Sequence, residues 1–327
     1  MLSKYFRIKI IAIIISAALS ITSINLLVCY LILSGNLQEK KTIIIEPNLS
    51  IHQISELLEQ NQIIKHGRFF ELCSMLYSFY SPLKSGEYEF TTAISPYQVI
   101  KKLAKGRSIV RRLVIPEGYS VKEIIDKLNA EERLNGVINR NIPEGYLMPS
   151  TYFYSYGDQR NKILDEMLLG MSKALDQVML KLSNHSPLKN RKDVLILASI
   201  VEKEAGNDQE RKMIAAVFVN RLKKGMRLQA DPTVIYAITR GKGKLGRLLT
   251  RQDLQIESEY NTYKIKGLPL GPISCPGLAS LEAVVSPSQT KAMYFVANGQ
   301  GGHNFANSLA AHNQNVRTFK KEQLVKP

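Results

Sequence analysis

The chain has 327 residues, 45% of them hydrophobic, with a formal charge of +16; that length holds a membrane segment and two soluble units with cores of their own. Its three cysteines (Cys29, Cys73 and Cys275) have no ligand-like spacing, so neither a disulfide framework nor a zinc site is expected. The basic residues are spread out, with no basic run interleaved with aromatics and no nucleic-acid motif, which argues against nucleic acid and leaves an anionic lipid surface or an anionic polymer as partner.

From Ile10 to Leu33 no residue is charged, and the polar interruptions are Ser16, Ser20, Thr22, Ser23 and Asn25. A run of this length spans a bilayer as a helix. Lys4, Arg7 and Lys9 precede it, which keeps the N-terminus in the cytoplasm and puts everything after Ser34 outside. A cleaved signal peptide is the alternative, but the run is long and no A-x-A-like site follows. Residues 1–34 are therefore expected to be a cytoplasmic stub and an uncleaved anchor.

After a linker at 35–41, Thr42–Ile45 reads as an apolar strand and Glu46-Pro47-Asn48 as a turn. Ser50 caps a helix carrying Ile54, Leu57 and Leu58. The same grammar returns at Phe90, Ser95, Val99 and Leu103, and at Ile115, Ser120, Ile124 and Leu128. In each case a strand end precedes a capping Ser by five positions, and apolar residues follow the Ser at four and eight. A helix at about 67–79 and an alternating strand at 84–90 complete the first unit, 42–110. Its strand–helix–helix–strand order resembles a LysM module, a glycan binder; a plain spacer is the alternative.

The second unit is expected over 111–327. Pro143-Glu144-Gly145-Tyr146 through Tyr152 is dense in aromatics and turn residues, and a helical stretch runs to about Ser183. Next comes Asp193-Val-Leu-Ile-Leu-Ala-Ser-Ile-Val-Glu202-Lys-Glu204-Ala-Gly206. Asp193 reads as its cap, and Gly206 as its stop. A helix apolar on every side belongs in a core. At about 100° per residue, Glu202 and Glu204 point to nearly opposite sides, and Glu204 shares a stripe with Leu197 and Val201. At most one of the two faces a given cleft. A Glu leaving an apolar stripe at a helix C-terminus has its pKa raised by poor solvation and by the dipole, as a general acid needs.

Asn207 with Glu210 reads as a capping box opening a helix that Gly225 ends. Asp231-Pro232 reads as a further helix start capped by Asp231. Gly241–Gly246 is a glycine-rich basic loop without P-loop spacing. Glu259-Tyr260-Asn261-Thr262-Tyr263 sets an amide between two aromatics, and Gly267–Gly277 is a structured proline-rich loop of the kind that lines sites. Met293–Ala297 and His303–Phe305 form a hairpin, and the last helix carries His312 and Asn313. His303 and His312 lack a third metal ligand at sensible spacing, so no metal and no cofactor are expected.

The blocks Ala198–Glu204, Val217–Leu222, Met226–Tyr236, Tyr260–Tyr263, Gly267–Ile273 and Gly302-His303 through His312-Asn313, in this order, resemble the MltG or YceG-like family of endolytic murein transglycosylases. The resemblance implies an α+β chain with an N-terminal transmembrane helix, a small LysM-like α+β unit, and a larger, mainly helical catalytic domain with a short antiparallel sheet. It implies a lyase that cuts the MurNAc–GlcNAc bond of nascent peptidoglycan without water, leaving a 1,6-anhydro end. It places the acid on Glu204. Glu144, Tyr146, Tyr152, Glu202, Gln229, Asp231, Tyr260, Asn261, Tyr263, His303 and Asn313 are candidates to hold sugar. It further implies residence in the bacterial inner membrane through residues 10–33, an extracytoplasmic catalytic domain, and work beside penicillin-binding synthases. The chain departs from the family where Met148 and Ser150 stand in place of a usual Phe and Asp, and where Cys275 replaces a common Asn. Two rivals remain: a water-using muramidase with Glu144 or Asp231 as second carboxylate, and a non-catalytic peptidoglycan-binding scaffold.

Overall fold

A computed structural model describes residues 2–33, 35 and 37–325. It is mixed α+β: eleven helices and three two-stranded sheets among the described residues. Two compact units divide it. One takes the chain up to Arg111 together with Phe153–Asp158; the other takes Arg112–Tyr152 and the chain from Gln159 on.

The first unit begins with α1 (Leu2–Ile32), within which Ile8–Ile32 is long and apolar enough to cross a membrane. The hydroxyls of Ser20, Thr22 and Ser23 donate to carbonyls one turn back, so these polar interruptions are satisfied inside the helix. Strand β1 (Lys41–Ile45) pairs antiparallel with β2 (Gly86–Phe90), Lys41 opposite Phe90 and Ile45 opposite Gly86. Between them lie α2 (Ile51–Gln60) and α3 (Gly67–Ser78), and α4 (Pro96–Lys105) follows. Ile45, Leu58, Ile63, Phe70, Tyr88, Phe90, Val99 and Leu103 fill the core. The strand–helix–helix–strand order expected of residues 42–90 is present.

All three expected serine caps form. Ser50, Ser95 and Ser120 each accept from the backbone three residues on, and Gln53, Gln98 and Glu123 reach back to close a capping box. Strand β3 (Val110–Val114) ends six residues before Ser120, one more than the step to the other two caps, leads into α5 (Val121–Asn129) and pairs with β4 (Thr151–Ser155).

In the second unit the rest of the chain gathers on one buried helix. It comprises α6 (Arg160–Met179), α7 (Arg191–Glu204), α8 (Arg211–Lys223), α9 (Asp231–Thr239), α10 (Leu278–Val285), β5 (Tyr294–Ala297), β6 (His303–Ala306) and α11 (Leu309–Val325). Every residue of α7 from Val194 to Val201 is buried, because α6, α8, α9 and α10 pack around it. The hairpin β5–β6 is antiparallel, as expected.

Helix ends differ from the expected caps by a turn or less. Asn190, not Asp193, caps α7; the Asp193 carboxylate instead accepts from the Lys189 backbone at 2.8 Å. The helix ends at Glu204 on an extended Ala205 (φ −73°, ψ 110°), with no left-handed glycine at Gly206. Asn207 does accept from the Glu210 backbone, but that turn precedes α8, and the Glu210 side chain goes to His303 rather than back to Asn207. Ala230 occupies the cap of α9, and Asp231 is its first helical residue. Gly225 (φ +63°) follows α8 as expected.

Candidate active site

Burying α7 all round leaves its last turn to decide where the carboxylates go. The 200° between Glu202 and Glu204 sends them apart. Glu202 turns toward α8 and α10. Both its oxygens accept from Arg211 Nη1 at 3.0 and 3.1 Å, and Oε2 accepts from the Gly277 backbone at 2.9 Å, at the start of α10. Glu202 and Arg211 are both nearly sealed from solvent (7% and 9% exposed). Arg211 Nη2 also donates to Asp208 at 2.6 Å, but Glu202 has no other cation among the described residues, so its carboxylate is spent on Arg211 and the α10 start.

Glu204 faces a cavity of about 370 Å³ that it lines with Arg221, Gln229, Asp231, Tyr263, Tyr294 and His312. Its carboxyl makes no hydrogen bond or ion pair to any described residue. Burial, first, and the nearby Asp231 carboxylate, second, raise its pKa from 4.5 to about 8, against a smaller opposing pull from the Arg221 guanidinium. At neutral pH it is therefore a protonated acid with a free O–H in a cavity.

Each wall of that cavity has a local cause. Arg221, on α8, is buried and pinned: Nε donates to the Met293 carbonyl at 2.7 Å and Nη1 to the Leu228 carbonyl at 2.6 Å. Its guanidinium lies 5.2 Å from the centre of the Tyr294 ring. On the ring's other partner, Tyr294 stacks with His312 at 5.2 Å and 23°. The His312 Nδ1 is buried without a partner among the described residues, and burial and Arg221 hold this imidazole below its ordinary pKa. Gln229 sits at φ +50°, an unusual backbone for a residue with a Cβ, of the kind that clusters at binding sites. Tyr263 donates its hydroxyl to Asp231 Oδ1 at 2.6 Å, which fixes both side chains at the rim.

The expected sugar-holding residues thus divide. Gln229, Asp231 and Tyr263 line the Glu204 cavity. Glu144 does not: its carboxylate accepts from the backbones of Val121 (2.8 Å) and Gly145 (3.3 Å) and from the Tyr236 hydroxyl (3.3 Å), and burial raises its pKa. Tyr146 packs against the α7 core, and Tyr260 packs on Tyr236 with ring centres 4.8 Å apart. Tyr152 is nearly buried, its hydroxyl donates to the Met148 carbonyl at 2.6 Å, and burial lifts its pKa to about 12. Asn261 is wholly buried and ties its own loop through the carbonyls of Leu254 and Ile256 and the Tyr263 backbone. His303 pairs its Nδ1 with Glu210 Oε2 at 2.8 Å, and Asn313 is exposed on α11. Arg221, Tyr294 and His312 were not among the candidates. Only the Asn220-Arg221-Leu222 block and the His312-Asn313 pair carried a signal for two of them.

Comparison with known proteins agrees with this arrangement of elements. A family model described as the YceG-like family matches residues 43–318. A protein of Streptococcus pneumoniae strain D39 named endolytic murein transglycosylase is 30% identical over 340 residues, which cover 89% of this chain and 60% of the relative. The chain thus spans about 60% of the length of that relative. A protein of Bacillus subtilis strain 168 with the same name is 32% identical over 299 residues, 81% of each chain. The crystal structure of a YceG-like protein from Listeria monocytogenes superposes with a TM-score of 0.55 at 33% identity, covering 85% of this chain and 99% of that one. With most of its length inside the family model and a likeness to a solved YceG-like protein over 85% of its length, the chain belongs to the YceG-like family.

Proposed function

We propose that the protein is an endolytic peptidoglycan lytic transglycosylase, a lyase, with Glu204 as its single acid and base. The carrying observation is the Glu204 carboxyl: without a partner among the described residues, facing a cavity, and with a pKa that burial raises to about 8. Its proton goes to the glycosidic oxygen that leaves with GlcNAc, and the C1–O bond of MurNAc breaks through an oxocarbenium-like state. The carboxylate so formed takes the proton of the MurNAc 6-hydroxyl as that oxygen bonds to C1. The 1,6-anhydro ring closes and Glu204 is neutral again. The nucleophile is intramolecular, so its effective molarity is high and no water need be activated. Gln229, Tyr263 and His312 supply hydrogen bonds to acetamido and hydroxyl groups. Burial, helped by the Asp231 charge, keeps Glu204 protonated.

The hydrolytic alternative needs a second carboxylate at the cavity. Glu144 is spent on the α5 N-terminus, so Asp231 alone could serve. Product mass separates the two, because an anhydro end is lighter than a reducing end by one water. Glu204→Gln, checked for folding, should lower anhydro-product formation by about 10²–10⁴-fold. Unchanged product formation overturns the assignment, and release of reducing ends by the native chain overturns the transglycosylase reading.

On the same reading, residues 42–110 form a LysM-like glycan-holding or spacing unit and 111–327 the catalytic domain. The chain is a single-pass protein of the cytoplasmic membrane with its N-terminus inside. Penicillin-binding synthases as neighbours are supported by the family resemblance.

A further inference from the structure

Helix α3 is apolar on two faces. Phe70, Cys73 and Ser74 turn into the core of the first unit. A second stripe, Phe69, Leu72, Leu76 and Phe79, recurs at steps of three and four and continues to Tyr80, and each of these side chains is about half exposed or more. Its outermost members are the barest large apolar side chains among the described residues of the unit: Phe79 is 87% and Tyr80 92% exposed. A contiguous bare apolar stripe marks a surface that something covers.

What covers it follows from where the stripe begins. Its first ring, Phe69, lies 5.7 Å from the ring of Tyr30 in the last turns of α1, and the Tyr30 hydroxyl donates to the His66 carbonyl just before α3 at 3.0 Å. The stripe is therefore continuous with the apolar surface of the helix read as the membrane span. The chain leaving α1 is also held hard against the unit. The Gly35 backbone donates to the Ile94 carbonyl at 2.9 Å, and a Cβ at Gly35 would come within 2.6 Å of that oxygen and 2.7 Å of the Ile63 carbonyl. Beside Ile94, Lys101, Lys102, Lys105 and Arg107 line a cavity of about 430 Å³ whose lining contains no acidic residue. Cations at the span's exit suit anionic headgroups, and an apolar face next to cations is the pattern of a helix lying in a membrane surface.

We propose that the outer face of α3 is an in-plane membrane contact: Phe69, Leu72, Leu76, Phe79 and Tyr80 enter the leaflet at the C-terminal end of α1. The unit is then moored to the bilayer on two helices instead of swinging on one. This rests on α1 being the span.

The native chain contains no tryptophan, so a single introduced one reports its own surroundings. Full-length Leu76→Trp and Phe79→Trp are reconstituted in phosphatidylglycerol/phosphatidylcholine vesicles with or without brominated acyl chains, and iodide serves as the aqueous quencher. Ile21→Trp reports the span, and Leu248→Trp, 90% exposed, is the wet reference. Both α3 reporters should lose most of their emission in brominated lipid and respond to iodide far less than Leu248→Trp does. Iodide quenching like that of the reference, or protection from both quenchers as a protein cover would give, overturns the proposal while Ile21→Trp remains quenched by lipid. If Ile21→Trp itself escapes brominated lipid, the anchor is wrong and the α3 contact falls with it.

Discussion

Replacing Glu204 by Gln should destroy activity and, in the same stroke, stabilise the fold in a pH-dependent way. The folded carboxyl titrates at about 8 and the unfolded one near its ordinary 4.5. A group whose folded pKa is raised contributes fully below the unfolded value, and that contribution is lost as pH rises through the folded one. At pH 4 both states are mostly protonated and the wild type carries little penalty. By pH 7 the unfolded carboxyl has released its proton and the folded one has not, which costs about 3 kcal/mol; above pH 8 the cost levels at about 5 kcal/mol. Gln keeps the shape without the proton, so the variant escapes the penalty. Thermal unfolding of the full chain in detergent micelles, followed for wild type and Glu204→Gln from pH 4 to 9, should show curves that meet at the acid end and diverge toward the alkaline end, with the variant melting higher. A gap that stays flat with pH, or a variant that melts lower at pH 8, would mean that Glu204 is ionised at rest. The proton donor would then have to be sought elsewhere.

Two further substitutions separate the site from its scaffold. Asp231→Asn removes the charge that helps keep Glu204 protonated, so the alkaline limb of the pH–rate profile for anhydro-product formation should move to lower pH; a limb that does not move, or moves up, contradicts the coupling. Glu202→Gln takes from the buried Arg211 guanidinium one of its two carboxylate partners, leaving Asp208 at 2.6 Å, and should cost about 1.5–3 kcal/mol in denaturant unfolding. The fraction that remains folded should keep the anhydro chemistry, whereas loss of chemistry at full stability would move the acid to Glu202.

What was legible in the chain was what short-range rules decide. Ser50, Ser95 and Ser120 could be read as caps because a cap is settled within four residues, and the strands before them followed from the same step, to within one residue at Ser120. Glu202 and Glu204 could be sent to opposite sides by helix geometry alone, and they lie there. Asp193, Asn207 and Asp231 were misplaced by up to a turn because several polar residues sat within reach of each helix start, and packing chose among them. Tyr152, Asn261, His303 and Glu144 have the chemistry of sugar ligands, yet each closes a backbone or carboxylate contact that burial would otherwise leave unmet. A sequence does not say which of those two needs a polar side chain serves.

Arg221, Tyr294 and His312 are illegible in the sequence for the complementary reason. They come from α8, β5 and α11, and only the packing of the hairpin and last helix brings them to the end of α7. On the proposed reading, their assembly is what lets one carboxyl suffice there. A buried acid with a fixed cation too close would ionise, and one with no polar wall would have nothing to present a sugar to. Arg221 is pinned by two carbonyls, and its pull on Glu204 is weaker than burial and Asp231 together. The apolar rod of α7 thus does more than fill the core. By forcing its last carboxyl out of water, it holds a proton in place at a pH where an exposed glutamate has already lost it.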